Sequence, residues 1–529
     1  MNTLIHDLLS ASAQRQPGAR ALTFKKIDVP YADLAGLAGE FSRALLAAGL
    51  SKQERAAVYL PKRIETVAAI FGTTMAGCVF VPVNPLLKPP QVGHILRDCN
   101  VRVLVTTAQR LGELAEEIAQ CPDLHTLVVL DGVPTASPKG KHTVAWEAFL
   151  AAGAGTPHRV IDTDMAAILY TSGSTGKPKG VVLSHRNMVT GAWSVSSYLE
   201  NRPEDRLLAV LPLSFDYGFS QLTTAFHVGA SVVLMDYLLP RDILNAVVQH
   251  RITGLAAVPP VWIQLAELTW PGTVTDHLRY FTNSGGAMPT ATLAKLRAAW
   301  PRTRPFLMYG LTEAFRATYL PPEEVDRRPE SMGKAIPNTE VMVVRPDGTP
   351  CDPEEPGELV QRGSLVALGY WNDPAKTAER FKPVPGQRAE LPLTEMAVWS
   401  GDTVRKDKDG FLYFIGRKDE MIKTSGYRVS PTEVEEIVYA SGLVGDAVAI
   451  GVPHPKIEKA IVVVASPAAS GATDAVTAQL LEFCKARMPN FMVPARIEWL
   501  EELPRNPNGK FDRPLLAGRY RDVLQDAAG

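Results

Sequence analysis

With 529 residues, 46% hydrophobic and 21% charged, and with 40 glycines and 42 prolines, the chain has the composition of an ordinary folded protein. Its length suits about three or four compact units around large cores. Its 55 lysines and arginines oppose 56 aspartates and glutamates for a net charge of -1, which leaves no global field to favour nucleic acid or an anionic membrane. The five cysteines form no C-x-x-C pair and residues 1–20 lack a basic start and an apolar core, so the expectation is a reduced, cytoplasmic protein with no disulfide framework, zinc site or secretory signal.

In chain order, the runs ERAAVYL, CVFVPV, VRVLVTT, LHTLVVL, RLLAVLPL and SVVLMD alternate with helical patterns. That alternation predicts parallel sheets covered by helices on both faces, because β-α-β crossovers bury both sides of their strands. No charged residue occurs from Thr66 to Leu87, a length that could span a bilayer. Gly72, Gly77, Pro82 and Pro85 interrupt the stretch, however, and VFVPV reads as a strand, so no transmembrane segment is expected. After Pro337 the texture changes to shorter strands, VMVVRPDGTP, GELVQRG and FLYFIGRKDE, joined by Asp-Gly and Pro-Gly turns in the manner of an antiparallel or mixed unit. A last βα unit follows, with strands DAVAIGV and AIVVVAS and helices PTEVEEIVYAS and VTAQLLEFCKARM. The boundary falls between Gly416 and Glu420, dividing a large domain at 1–417 from a small one at 418–529.

The segment Tyr170–Gly180, YTSGSTGKPKG, follows the apolar run MAAIL and precedes VVLSH. Gly173, Gly176 and Gly180 permit backbone conformations that aim successive N–H groups at one anion. Thr171, Ser172, Ser174 and Thr175 add hydroxyl donors, and Lys177 and Lys179 add charge suited to a polyphosphate. The segment is no Walker loop, since Pro178 follows Lys177, and no G-x-S-x-G nucleophile elbow, since Ser172 stands two before Ser174. A Gly/Ser linker would lack the flanking strands and the embedded Lys-Pro-Lys.

YTSGSTGKPKG matches the signature loop of the AMP-forming acyl-activating enzymes, which include acyl-CoA ligases, amino-acid adenylation domains and luciferases. SGGAMP (Ser284–Pro289), YGLTE (Tyr309–Glu313), GYW (Gly369–Trp371), SGD (Ser400–Asp402), GRKDEMIKTSGYRVSP (Gly416–Pro431) and NPNGKFDR (Asn506–Arg513) follow in order. The chain resembles that family over essentially its whole length. Its wording, notably VNPLLKPPQVGHILRDCNVRVLVTT, is similar to bacterial acyl-CoA ligases associated with exosortase systems. The expected fold is therefore α/β: a large N-terminal domain of helix-covered, largely parallel sheets with a small β-barrel-like part, and a smaller, mobile α+β C-terminal domain.

The residues themselves suit these roles. Glu313 is a carboxylate of the kind that holds the Mg²⁺ of ATP, Asp402 an acceptor for two ribose hydroxyls, and Gly285 and Gly286 leave room for a flat adenine. Alone, Thr312–Glu313 would also read as a solvated helix start and Lys510 as a solvent-facing turn residue. The resemblance implies that Thr312 contacts the α-phosphate and Glu313 the metal, and that Asp402, with Arg417 nearby, takes the ribose. It also implies that Gly285, Gly286, Ala287, Tyr309 and Gly310 line the nucleotide. Lys510 would bridge the substrate carboxylate and the α-phosphate. Asp419 would be the hinge of the small domain, and Gly426 would line a tunnel for a pantetheine arm.

The implied reaction takes a small carboxylate and ATP to acyl-AMP and pyrophosphate, and a thiol of CoA or of an acyl or peptidyl carrier protein then displaces AMP. Two alternatives stay open: an adenylating enzyme with another acceptor, and a nucleotide-binding protein without ligase activity. By the same resemblance the acyl pocket involves Asp216, Tyr217, Ser220, Asn283 and Met308. Asp216 follows Phe215, as in amino-acid-adenylating domains where the carboxylate pairs with the substrate ammonium; a helix cap is the competing reading. Arg316 reads as an exposed helical arginine or as a partner for a second carboxylate. No nucleic-acid partner is expected, and the oligomeric state is left open.

Overall fold

The computed structural model describes residues 2–524 except 133–136, 172–177, 389, 418–419, 425–426, 455–456 and 469–473. The Val, Ile and Leu runs form three sheets. In the eight-stranded sheet, Val79–Pro82, Arg55–Val58, Val101–Thr107 and Thr126–Leu130 lie parallel, and the first and last of them are buried end to end. Burial on both faces is what continuous apolar runs dictate. On the other side of Val79–Pro82, Met165–Thr171 pairs antiparallel with Lys179–Ser184, whose free edge takes the short strand Gly369–Tyr370.

The 14-stranded sheet is parallel across Arg304–Tyr309, Tyr280–Asn283, Gly254–Ala257, Arg206–Ala209 and Ser231–Leu234. Beyond Tyr309 it turns antiparallel. The strands expected as a β-barrel-like part, Thr339–Val344, Gly357–Gly363, Met396–Lys406 and Leu412–Arg417, instead form an open antiparallel wing of this sheet. Ser331–Ala335 pairs with Leu412–Arg417, so the wing stays hydrogen-bonded to the main sheet, and among the described residues it closes no barrel.

One buried cluster joins Val58 and Phe80 of the first sheet to Leu207 and Phe281 of the second, through helices such as Tyr31–Ala47, Ile64–Met75 and Asp216–Val228. The uncharged stretch is the buried helix Ile64–Met75 followed by a strand; a Cβ on Gly72 would come within 2.5 Å of the Ala38 carbonyl oxygen, so glycine sets how closely the two helices pack. No helix among the described residues is long and apolar enough to cross a membrane.

The C-terminal unit has its own five-stranded sheet. Strand Val444–His454 alternates: Ala447 and Ala449 face the cluster of helices Pro431–Ala440 and Asp474–Arg487, while Val448, Ile450 and Val452 face Leu516 and Tyr520. That period of two places helix Arg513–Arg519, and the turn before it, on one face of the sheet. The unit is seated on the large domain: Asn84 Nδ2 donates to the Pro507 carbonyl at 2.8 Å, and the Thr290 N–H donates to Glu436 Oε1 at 3.0 Å.

Candidate active site

The carboxyl ends of the parallel strands bring the motifs together, the usual place for a ligand in an open α/β sheet. Tyr280–Asn283 runs into Ser284–Gly286, and Arg304–Tyr309 into the 3₁₀ turn Thr312–Ala314. Gly285 has φ +81°, and a Cβ there would lie 2.7 Å from Lys510 Cε and 3.2 Å from its Nζ. Glycine is thus what admits the lysine. Lys510 ends the turn Asn506–Lys510, with its N–H bonded to Asn506 Oδ1 at 3.1 Å, and its ammonium stands 5.2 Å from the Phe215 ring centroid. Burial pulls that ammonium below the ordinary lysine range; Asp216 opposes this, Arg417 adds to it, and Glu420 and Asp402 oppose it more weakly.

Asp402 accepts a hydrogen bond from the Tyr309 hydroxyl and has Arg417 Nε 3.8 Å away across the strand pair Met396–Lys406 and Leu412–Arg417. Burial and the neighbouring carboxylate drive the Tyr309 phenol well above its ordinary range, so it stays a donor. A carboxylate offers about four acceptor positions over its two oxygens, the chemistry that two ribose hydroxyls need.

Glu313 is reached from the GYW segment. The Tyr370 hydroxyl donates to Glu313 Oε1 at 2.5 Å, and the Ala367 N–H donates to the Glu313 carbonyl at 2.8 Å. Lys179 Nζ lies 5.0 Å from the Tyr370 ring centroid, its charge depressed first by burial and then by Lys376. No group of three or more His, Cys, Asp or Glu side chains able to hold a metal occurs among the described residues. A single oriented carboxylate fits Mg²⁺ all the same, because that ion keeps waters and substrate phosphates and needs only one or two protein oxygens.

Thr171 and Lys179 are paired across the strands flanking the Gly-rich segment. Ser172, Gly173, Ser174, Thr175, Gly176 and Lys177 lie outside the described residues, as do the proposed hinge Asp419 and Gly426.

Asp216 is not the helix cap, and in the structure its partner is a residue of the chain. Asp216 is the first residue of helix Asp216–Val228, and Phe215 holds the cap position without a side-chain hydrogen bond. Its Oδ2 accepts from Arg316 Nη1 at 2.8 Å and its Oδ1 from the Thr312 hydroxyl at 3.2 Å. Arg316 is therefore no exposed helical arginine: it is 1% exposed, follows the 3₁₀ turn, and also donates to Ser220 Oγ at 2.9 Å. Its guanidinium lies 4.8 Å from the Tyr217 ring centroid. Tyr217, Ser220, Asn283 and Met308 are all buried. The Tyr217 hydroxyl meets Thr282 Oγ1 at 2.5 Å, Asn283 Nδ2 donates to the Gly286 carbonyl at 2.9 Å, and the Tyr198 hydroxyl donates to Met308 Sδ at 3.0 Å. Gly310 packs on Arg316, whose Cα would be 3.3 Å from a Cβ there; Ala287 and Gly286 are exposed at the cleft. Two contributors were not visible as such in the sequence: Tyr370, inside a motif that carried no role, and Arg316, whose only signal was its place three residues after Glu313.

Two family models match the chain, one described as AMP-binding enzyme over residues 9–371 and one as AMP-binding enzyme C-terminal domain over residues 433–510. The chain belongs to the AMP-binding enzyme family. It is 31% identical to an L-proline--[L-prolyl-carrier protein] ligase of Pseudomonas fluorescens over 97% of this chain and 99% of that one. It is 30% identical to one component of the linear gramicidin synthase of Brevibacillus parabrevis over 97% of this chain, but spans only 6% of that much longer protein. Among solved structures, an anthranilate CoA ligase, AuaEII, in complex with anthranoyl-AMP superposes with a TM-score of 0.89 at 24% identity, covering 99% of each chain.

Proposed function

We propose that the chain is an AMP-forming acid–thiol ligase, which joins a carboxylic acid to AMP and then passes the acyl group to a pantetheine thiol. The observation that carries this reading is the seating of Lys510 against Gly285, in a cleft that also presents Asp402, Thr312 and Asp216. One oxygen of the substrate carboxylate attacks the α-phosphorus of ATP, the bond from that phosphorus to the bridging oxygen breaks, and pyrophosphate leaves. No protein nucleophile is needed. Lys510 steadies the charge that builds on the phosphoryl and carboxylate oxygens, Thr312 joins it when its hydroxyl turns from Asp216 to the α-phosphate, and Asp402 fixes the ribose so that attack is in line. Glu313, oriented by Tyr370, would hold Mg²⁺, which neutralises phosphate charge when bound.

In the second step the sulfur of a thiolate attacks the acyl carbon, the carbon–oxygen bond to AMP breaks, and AMP leaves while the thiol proton goes to solvent. In the proposed two-pose cycle the small domain, residues 418–529, turns about Asp419, withdraws Lys510 and brings the segment of Gly426 to the arriving thiol. CoA and a carrier-protein pantetheine present the same thiol; the resemblance to an L-prolyl-carrier protein ligase supports the second, and that to an anthranilate CoA ligase the first.

ATP–pyrophosphate exchange with a panel of carboxylic acids tests the reading. Exchange with at least one class is expected, and exchange with none overturns it. Lys510→Ala should lower acyl-AMP formation by about 10³-fold and leave thioester formation from supplied acyl-AMP largely intact. Equal loss of both half-reactions overturns the two-pose cycle.

A further inference from the structure

Resting on the ligase reading above, we infer that Arg316 is the specificity-determining residue of the acyl pocket: it fills, from within the protein, the place beside Asp216 that a substrate ammonium would take, so the acids this chain adenylates carry no α-ammonium. Asp216 and Arg316 are 4% and 1% exposed, and 2.8 Å separates Oδ2 from Nη1. A carboxylate buried among apolar walls requires a cation, and here the cation is covalently part of the chain. The fork is fixed at further points, by Ser220 Oγ at 2.9 Å, by the Phe315 carbonyl at 2.8 Å and by the face of Tyr217. A rotation that released Asp216 to a ligand would leave one buried charge without a partner.

The backbone supports the same assignment. Phe315 has φ +55° and is fully buried, a conformation that a bulky residue keeps only where the surroundings impose it. Gly191 makes room for it, since a Cβ at that position would be 2.4 Å from Phe315 Cδ1. The kink turns Arg316 into the protein, toward helix Asp216–Val228.

Charge counting points the same way. With Lys510 seated, Asp216 already serves two cations, Arg316 by contact and Lys510 through space. An α-ammonium would be a third cation around one carboxylate, in a place screened from water where like charges repel steeply. Arg316 Nε is buried and without a hydrogen-bond partner among the described residues. The guanidinium thus still offers a donor, which suits an acceptor oxygen and repels an ammonium.

The test is a matched-pair panel in ATP–pyrophosphate exchange: phenylalanine with hydrocinnamate, leucine with isocaproate, proline with cyclopentanecarboxylate, extended with fatty and aryl acids. It is run on the wild type, Arg316→Lys and Arg316→Met. The wild type should favour the desamino member of the best pair by ~100-fold or more in kcat/KM. Arg316→Met, which leaves Asp216 to the substrate, should narrow that ratio ~10-fold or more, and Arg316→Lys, which keeps the charge, should preserve it. Amino acids exchanging as well as or better than their partners in the wild type overturn the inference and leave the ligase reading standing. A fall in rate in Arg316→Met with an unchanged ratio overturns the role of Arg316. No exchange with any acid overturns the ligase reading and this inference together. The wild-type ratio needs no variant, so misfolding of Arg316→Met leaves the substrate-class test intact.

Discussion

Asp216, at the start of its helix, and Asp402, inside strand Met396–Lys406, are both buried and both act on the Lys510 ammonium, yet their partners differ in kind. Asp402 has a neutral phenol on one oxygen and a guanidinium at 3.8 Å that is 37% exposed. Asp216 has a fully buried guanidinium at 2.8 Å and a hydroxyl on its other oxygen. A phenol orients a carboxylate without cancelling its charge, and on the proposed reading that carboxylate takes a hydroxyl-rich ligand. A contact guanidinium pairs it from within the chain, so the Asp216 side becomes a rigid, internally paired wall. On the proposed reading the same residue type grips one ligand and shapes the pocket for another, according to its partner.

The comparison breaks most readily at the ion pair. Arg316→Met alone should destabilise the large domain by about 3–5 kcal/mol, because it strands a buried carboxylate, whereas Asp216→Leu with Arg316→Met should return to within about 1 kcal/mol of the wild type. Urea unfolding followed by tryptophan fluorescence measures both, and a double variant as unstable as the single would show that the pair does more than balance charge. On the other carboxylate, Asp402→Ala should raise the KM for ATP by about 10- to 50-fold, the value of one or two charged hydrogen bonds, and cost about 1–3 kcal/mol of stability for the orphaned Tyr309 hydroxyl, less than Arg316→Met. A stability loss as large as that of Arg316→Met would mean that Asp402 is structural as well.

These two sides are also unequally legible in the sequence. The proposed nucleotide side is readable because phosphate, ribose and metal require particular residue types on particular turns, which is what YGLTE, SGD and NPNGK offer. In the structure Lys510 lies against Gly285 and within electrostatic reach of Asp402. The acyl side varies with the acid, and what fixes it is a long-range pairing: Asp216 and Arg316 are 100 residues apart in the chain. No local pattern encodes that contact, and the kink that delivers it rests on a positive φ at Phe315, a residue type that gives no warning of one. The antiparallel wing departs from the expected barrel for a related reason. Strand patterns and Asp-Gly turns report hairpins, but whether a set of hairpins closes on itself or pairs with a distant strand such as Ser331–Ala335 is settled by tertiary packing.

The finest test of the comparison lies in the pH dependence of adenylation, where Asp216 and Asp402 act on one reporter. Lys510 must be protonated to steady the transferring phosphoryl group, so exchange activity should fall on the alkaline side as that proton leaves. Burial lowers the Lys510 pKa, and the nearby carboxylates raise it, Asp216 more than Asp402. Removing an anion beside an ammonium favours the neutral amine. The alkaline limb should therefore begin below the ordinary lysine range in the wild type, move further down in Asp216→Asn, and move less in Asp402→Asn, with the limb read from kcat/KM, which reports the free enzyme in which these groups surround the lysine. Equal shifts would place both carboxylates at the same electrical distance from Lys510 in the working enzyme. An upward shift in Asp216→Asn would mean that the freed Arg316 draws in another anion close to the lysine. No shift in either variant would assign the limb to a group other than Lys510, and the lysine would then be charged throughout the range in which the protein is folded.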